Sequence, residues 1–221
     1  CLVAAGGAVY LNMGTQFPIY TETIPRTAAA AFNAGKPWVI DPVGIGIGKQ
    51  RSDLLLEVKQ YKPTIIRGNA SEIIALAGLW DVAGTAEDLS RARGVDSTDE
   101  VASARDAAVA LARYTGGAVA VSGEVDLVTD GSVVAYSHGG SSLMSKVTGF
   151  GCSQGGVLAV YACVADPFTA ALAGVAHYNK AGRHAEELAS APASFKVAFI
   201  DELYKVSPEE IAENPFELEE A

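Results

Sequence analysis

Short apolar runs alternate with longer stretches whose apolar positions recur every three or four residues. The short runs are Ala8–Asn12, Trp38–Asp41, Thr64–Arg67, Ala118–Ser122, Asp126–Thr129 and Val133–Tyr136. They are rich in Val, Ile, Tyr and Trp and end at polar residues, which predicts strands. The longer stretches predict helices over Glu22–Ala34, Ser52–Gln60, Ser71–Ala77, Asp99–Tyr114, Ser153–Val164, Pro167–Ala189 and Ala193–Tyr204. Strand and helix in alternation is the mark of a largely parallel α/β sheet. Asp130-Gly131 between the last two strands is a hairpin signal, so an antiparallel pair is expected at one edge of that sheet. Ser207-Pro208-Glu209-Glu210 is a capping box with proline at the first helical position, so a short last helix starts there. No repeat and no Pro-, Gly- or Ser-rich linker divides residues 1–221, so a single domain is expected.

Composition narrows the class. Apolar residues make up 49% of the 221, enough for a packed core, and the formal net charge is −10. Residues 201–221 hold eight acids against Lys205 alone, leaving 18 acids and 15 bases for residues 1–200. The acidity therefore belongs to the C-terminal end, and residues 207–221 are expected to be a solvated acidic tail. No basic face is available for nucleic acid. The longest apolar run, Gly155 to Ala165, is shorter than the roughly 18 residues of a membrane span, so no membrane partner is expected. Three cysteines (Cys1, Cys152, Cys163) form neither a CxxC pair nor a zinc spacing, which fits a reducing, cytoplasmic setting. The chain opens at Cys1 within an apolar segment, from which a preceding N-terminal piece is expected.

The densest chemistry lies at Gly149-Phe150-Gly151-Cys152. Two glycines ahead of an apolar helix pattern allow the backbone N–H groups to face outward, and the helix adds its positive end. Together they form a place for an anion, a phosphate in transfer above all. Cys152 has three readings: a buried small residue opening a helix, a nucleophile, or an acceptor of a proton from an attacking hydroxyl. The nucleophile would want a paired base, and His138, His177 and His184 sit in no motif around it. The third reading draws on the helix start, which favours negative charge on sulfur.

A parallel sheet binds ligands beyond the carboxyl ends of its strands. Three strand exits are polar: Asn12-Met13-Gly14-Thr15, Asp41-Pro42-Val43-Gly44, and Arg67-Gly68-Asn69-Ala70-Ser71-Glu72. Asn12 and Gly14 are candidates for substrate contact. Asp41 is either a carboxylate that orients a metal-bound water or substrate hydroxyl, or a turn acceptor before Gly44. Asn69 and Glu72 form a capping box and are also candidates near the phosphates, Glu72 acting on Mg²⁺ through water. Arg67 is a candidate phosphate clamp. Ser122 is either a donor to a nucleotide phosphate or a plain turn hydroxyl. Gly44–Gln50 breaks the GxxxxGK[ST] pattern, and Gly149, Gly151 and Gly155 miss the dinucleotide spacing, so a glycine anion hole on another scaffold is preferred.

Taken in order, Leu11-Asn12-Met13-Gly14-Thr15, Asp41-Pro42-Val43-Gly44, Lys62–Ile73 with its Arg-Gly-Asn-Ala-Ser-Glu block, Ser122-Gly123-Glu124-Val125-Asp126, Lys146–Cys152 and Phe195–Asp201 resemble the hydroxyethylthiazole kinase family. The resemblance runs to about Val206. It implies a ribokinase-like three-layer sandwich, with a mostly parallel central sheet and helices on both faces. It implies transfer of the γ-phosphoryl of ATP to the hydroxyl of 4-methyl-5-(2-hydroxyethyl)thiazole with Mg²⁺, in thiamine salvage, by a homotrimer with active sites at subunit interfaces. Arg67 and Ser122 match ATP-binding positions, and Asp41 and Glu72 match the acidic pair that works with Mg²⁺. Gly149 to Cys152 match the anion hole, with Gly151 near the thiazole, and Cys152 stands where ribokinase relatives carry their Asp base. The family's first strand and the segment giving a Met to the thiazole pocket have no counterpart here. Phe150 stands where the family usually has Thr and is expected to narrow the substrate pocket or displace a hydroxyl contact. The alternatives are another ribokinase-like small-alcohol kinase, an ATP-dependent dehydratase of that fold, or a non-catalytic thiazole or nucleotide-binding protein.

Overall fold

A computed structural model describes residues 6–82 and 97–221, with the side chains of 97–103 left aside. Cys1 lies outside the described residues. Seven strands form one sheet in the order of the chain: β1 (Val9–Asn12), β2 (Trp38–Asp41), β3 (Ile65–Asn69), β4 (Ala118–Ser122), β5 (Asp126–Thr129), β6 (Val133–Ser137) and β7 (Phe216–Glu220). β1 to β4 are parallel, and β4 to β7 pair antiparallel.

Among the described residues the helices are α1 (Tyr20–Asn33), α2 (Lys49–Val58), α3 (Ala70–Leu79), α4 (Ser97–Thr115), α5 (Phe150–Tyr161), α6 (Pro167–Leu188), α7 (Pro192–Lys205) and α8 (Pro208–Ala212). The alternation of side chains along a strand sorts them into two layers. Trp38, Ile40, Ile66, Val119 and Val121 face a core shared with α1 to α4. Val39, Ile65, Ala118, Ala120, Val128 and Ala135 face α5 and α6. This is the expected three-layer sandwich, and its solved neighbours described below share it. The two-residue period also settles the site: Tyr10 and Asn12, Val39 and Asp41, Ile65 and Arg67 point to the α5 side of the sheet.

Three expectations change. The hairpin β5–β6 is not the edge, because β7 pairs with β6 outside it. The acidic end is thus a paired strand from Phe216 to Glu220 whose residues stay exposed, not an unpaired tail. Its glutamates disfavour a strand by propensity alone. The ladder prevails because Glu219 takes hydrogen bonds from Tyr136 Oη at 2.9 Å and Arg105 Nε at 2.8 Å, while Arg105 Nη2 donates to the Glu220 carbonyl. Third, α5 begins at Phe150 and not after Cys152.

Asp126, at the start of β5, is buried and has no ion-pair partner among the described residues. It accepts from the Gly123 N–H at 3.0 Å and from Asn179 Nδ2 at 2.9 Å. Burial raises its pKa above the ordinary 3.8, against those two hydrogen bonds. The folded state therefore binds this proton more readily than the unfolded chain. Its cost in stability is absent at low pH and grows as pH rises through the folded value. Asp126→Asn is expected to gain stability relative to the parent between about pH 4 and pH 7 in urea titrations. Parallel pH curves for the two proteins would contradict this.

Candidate active site

The parallel register brings the strand exits to one rim. Asn12 lies beside Asp41 and Asn69 beside Ser122. The first turn of α5 stands over that rim. Gly149 caps the helix with φ 93°, a conformation that favours glycine. Phe150, Gly151 and Cys152 are the first three helical residues, so their N–H groups have no intrahelical acceptor. Only that of Phe150 approaches a backbone oxygen, Val147 O at 3.5 Å. The expected glycine turn is present with an altered division of labour: Gly149 makes the bend, and Gly151 is an ordinary helical residue. What Gly151 lacks is a side chain, because a Cβ there would lie 2.9 Å from Arg67 Nη2 and 3.0 Å from Nη1.

Arg67 is the hub of the rim. It is buried at 6% exposure, and its guanidinium donates in three directions. Nε reaches Gln154 Oε1 at 3.0 Å, Nη1 reaches Asp41 Oδ2 at 3.3 Å, and Nη2 reaches Ser122 Oγ at 2.8 Å. Ser122 is therefore a partner of Arg67 at the strand tip. A guanidinium carries five N–H bonds, so two remain for a ligand.

Asp41 is fully buried. Its Oδ2 collects Arg67, the Tyr10 hydroxyl at 3.1 Å and Asn12 Nδ2 at 3.5 Å, while Oδ1 has no hydrogen-bond partner among the described residues. Burial raises its pKa, Arg67 opposes that shift, and the charge of Glu72 adds to it. Glu72 accepts from the Asn69 N–H at 2.9 Å and, through its other oxygen, from the Gly44 N–H at 3.2 Å. The Asn69–Glu72 capping box is formed, and Glu72 also ties the β2 exit to the β3 exit. Asn12 Oδ1 accepts from the Gly14 N–H at 2.8 Å, so that N–H is spent inside the loop. Among the described residues, no group of three or more His, Cys, Asp and Glu is close enough to hold a metal ion.

The expectation for Phe150 is corrected. Its ring is 7% exposed and turns into the core, with ring centroids 4.6 Å from Phe199 and 5.7 Å from Phe195. It does not narrow the site, and only its main chain lies at the rim. The Phe150 carbonyl is held by the Tyr178 hydroxyl at 2.7 Å, whose pKa burial pushes up to about 12.

Three residues went unnoticed in the sequence. Tyr10 reaches the Cys152 carbonyl at 2.6 Å. Gln154 holds Arg67. Arg51 donates to the carbonyls of Met13, Gly14, Gly44 and Ile47, tying the first two strand exits together. Arg51 follows a glycine-rich loop full of carbonyls, which was a usable signal. Tyr10 read as one more apolar strand residue, and Gln154 as one more helical one.

A family model described as the hydroxyethylthiazole kinase family matches residues 1–209. The hydroxyethylthiazole kinase of Bifidobacterium longum (strain DJO10A) is 48% identical over 225 residues, covering 94% of this chain and 72% of the relative. That of Cereibacter sphaeroides (strain ATCC 17029 / ATH 2.4.9) is 44% identical over 206 residues, covering 93% and 75%. Among solved structures, a hydroxyethylthiazole kinase protein from Pyrococcus horikoshii OT3 superposes with a TM-score of 0.83 at 29% identity, covering 100% of this chain and 79% of that one. The pyridoxal kinase of Staphylococcus aureus in complex with AMP-PCP and pyridoxal has a TM-score of 0.57 at 16% identity, over 97% and 73%, and shares the fold alone.

Proposed function

The chain belongs to the hydroxyethylthiazole kinase family, and from that premise we propose that it transfers the γ-phosphoryl of ATP to the hydroxyl of 4-methyl-5-(2-hydroxyethyl)thiazole. The observation that carries this reading is the Gly149-capped first turn of α5, whose N–H groups stand beside Arg67 over the strand tips. In phosphoryl transfer most of the catalysis is positioning and charge stabilisation, and donors fixed in place cost no reorganisation at the moment of reaction. Arg67, with Ser122 and Asn69 beside it, holds the nucleotide phosphates. The N–H groups of Gly151 and Cys152 take the charge of the moving phosphoryl, and Asn12, Gly14 and Gly151 border the thiazole. Cys152 accepts the hydroxyl proton as the oxygen attacks, a late event in a loose transition state.

Mg²⁺ fits these residues. Asp41 keeps one buried carboxylate oxygen without a partner, and Glu72, with both oxygens engaged by backbone N–H groups, would act through water. When bound, the ion supplies neutralisation of the phosphate charge. A homotrimer with sites between subunits and a cytoplasmic location complete the reading. The trimer is supported by the exposed Phe17 and Ile19 beside a 380 Å³ cavity between β1 and α1.

A coupled ADP-release assay with the thiazole alcohol and Mg-ATP tests the activity. Acceptor-dependent ADP release is expected, and its absence would contradict the reading. In the same assay Cys152→Ala is expected to lower kcat roughly 10- to 100-fold while leaving the affinity for ATP unchanged. An unchanged kcat would remove Cys152 from the proton path.

A further inference from the structure

We propose that Tyr10 is a positioning residue of the transfer site, its hydroxyl holding the first turn of α5 at a fixed place against the acid at the tip of β2. This rests on the kinase reading above. Tyr10 lies on β1, two residue pairs behind the strand tips. Its hydroxyl proton has two acceptors, the Cys152 carbonyl at 2.6 Å and Asp41 Oδ2 at 3.1 Å, and its oxygen accepts from Asn12 Nδ2 at 2.8 Å. One oxygen thus joins the exit of β1, the acid of β2 and the turn that carries the thiol. Asn12 extends the chain of bonds to the Gly14 N–H.

A second observation is independent of those hydrogen bonds. A Cβ at Gly155 would lie 2.4 Å from Tyr10 Cε2, 2.6 Å from Cζ and 2.8 Å from the hydroxyl oxygen. The hydroxyl end of the ring therefore packs against bare backbone one turn into α5. Glycine inside a helix costs stability, and its φ here is unexceptional. The missing side chain at 155 is explained by the seat it leaves for Tyr10. The hydroxyl grips the first turn while the ring abuts the second, so α5 is fixed both along and across its axis. Reacting groups misplaced by an ångström lose turnover steeply, and this fixation governs the distance between the Cys152 turn and Asp41.

The experiment is Tyr10→Phe on the full chain, which keeps the ring in its seat and removes only the hydroxyl. ADP release is followed alongside alkylation by iodoacetamide, read peptide by peptide with exposed Cys163 as the internal reference for Cys152. The expected result is a kcat lowered roughly 10- to 100-fold with KM for ATP within about twofold of the parent. The Cys152 alkylation ratio is expected to rise about threefold or more as the turn loosens, with a near-parental melting temperature. A purely structural tyrosine would leave kcat unmoved, and a parental kcat overturns the proposal. Should the parent release no ADP, the kinase reading fails and the alkylation ratio alone decides, an unchanged ratio overturning the role of Tyr10. If Tyr10→Phe does not fold, Gly155→Ala, which drives the same ring from its seat, is measured in the same two ways against the same outcomes.

Discussion

Arg67→Ala is expected to abolish measurable phosphoryl transfer and to lower the unfolding free energy by about 3–5 kcal/mol. Arg67 and Asp41 form an ion pair with side-chain exposures of 8% and 0%. Removing the cation leaves a carboxylate that burial already disfavours, with one of its oxygens unpartnered. Gln154 Oε1 and Ser122 Oγ lose a donor in the same step. The loss is therefore a network loss and much larger than that of an exposed ion pair. Arg67→Lys keeps the charge and loses the fork, so it restores stability only in part. Urea unfolding and the ADP-release assay read both effects. Parental stability in Arg67→Ala would show that the rim does not depend on this hub.

Gly151→Ala is expected to lower kcat/KM for the thiazole roughly 100-fold. On propensity alone the change should help, since alanine in a helix is better than glycine by about 0.5–1 kcal/mol. The new methyl, however, would meet both terminal nitrogens of Arg67 within 3.0 Å. A free arginine would step aside, but this one is pinned by Gln154, Asp41 and Ser122, so its displacement breaks those bonds or tilts the first turn. The methyl also intrudes beside the N–H groups proposed to face the phosphoryl. A melting temperature lowered by less than in Arg67→Ala, together with a large loss of turnover, is the expected pairing. Full turnover in Gly151→Ala would mean that the reacting groups lie elsewhere.

Much of this arrangement was legible before any coordinates. Asn12, Asp41, Arg67 and Ser122 each end or nearly end an apolar run, and parallel strands gather such ends at one rim. The side of the sheet they face follows from counting residues in twos. The glycines before the Ala- and Gly-rich helix marked the turn that opens it. What escaped depended on contacts across long stretches of chain. Tyr10 and Gly155 explain each other, yet neither is unusual among its neighbours in sequence. Phe150 looked like an intruder in a glycine turn because its partners, Tyr178, Phe195 and Phe199, come later and on other helices. The helix start was placed three residues late because Gly149 caps through its backbone conformation and without a side-chain acceptor, so the usual Ser, Thr, Asp or Asn signal was missing. β7 escaped because its glutamates argue against a strand, and Arg105 and Tyr136, which hold Glu219 and Glu220 in place, lie far away in sequence.

The central claim is that phosphoryl transfer takes place at the first turn of α5, against the tips of β1 to β4. A crystal structure of the full chain with a non-hydrolysable ATP analogue, Mg²⁺ and the thiazole alcohol tests it most directly. The account predicts the terminal phosphate within hydrogen-bonding distance of the Gly151 and Cys152 N–H groups, on the side of the turn that Arg67 and Asp41 line. A terminal phosphate bound away from that turn, with Gly151 still closed over Arg67, would contradict it.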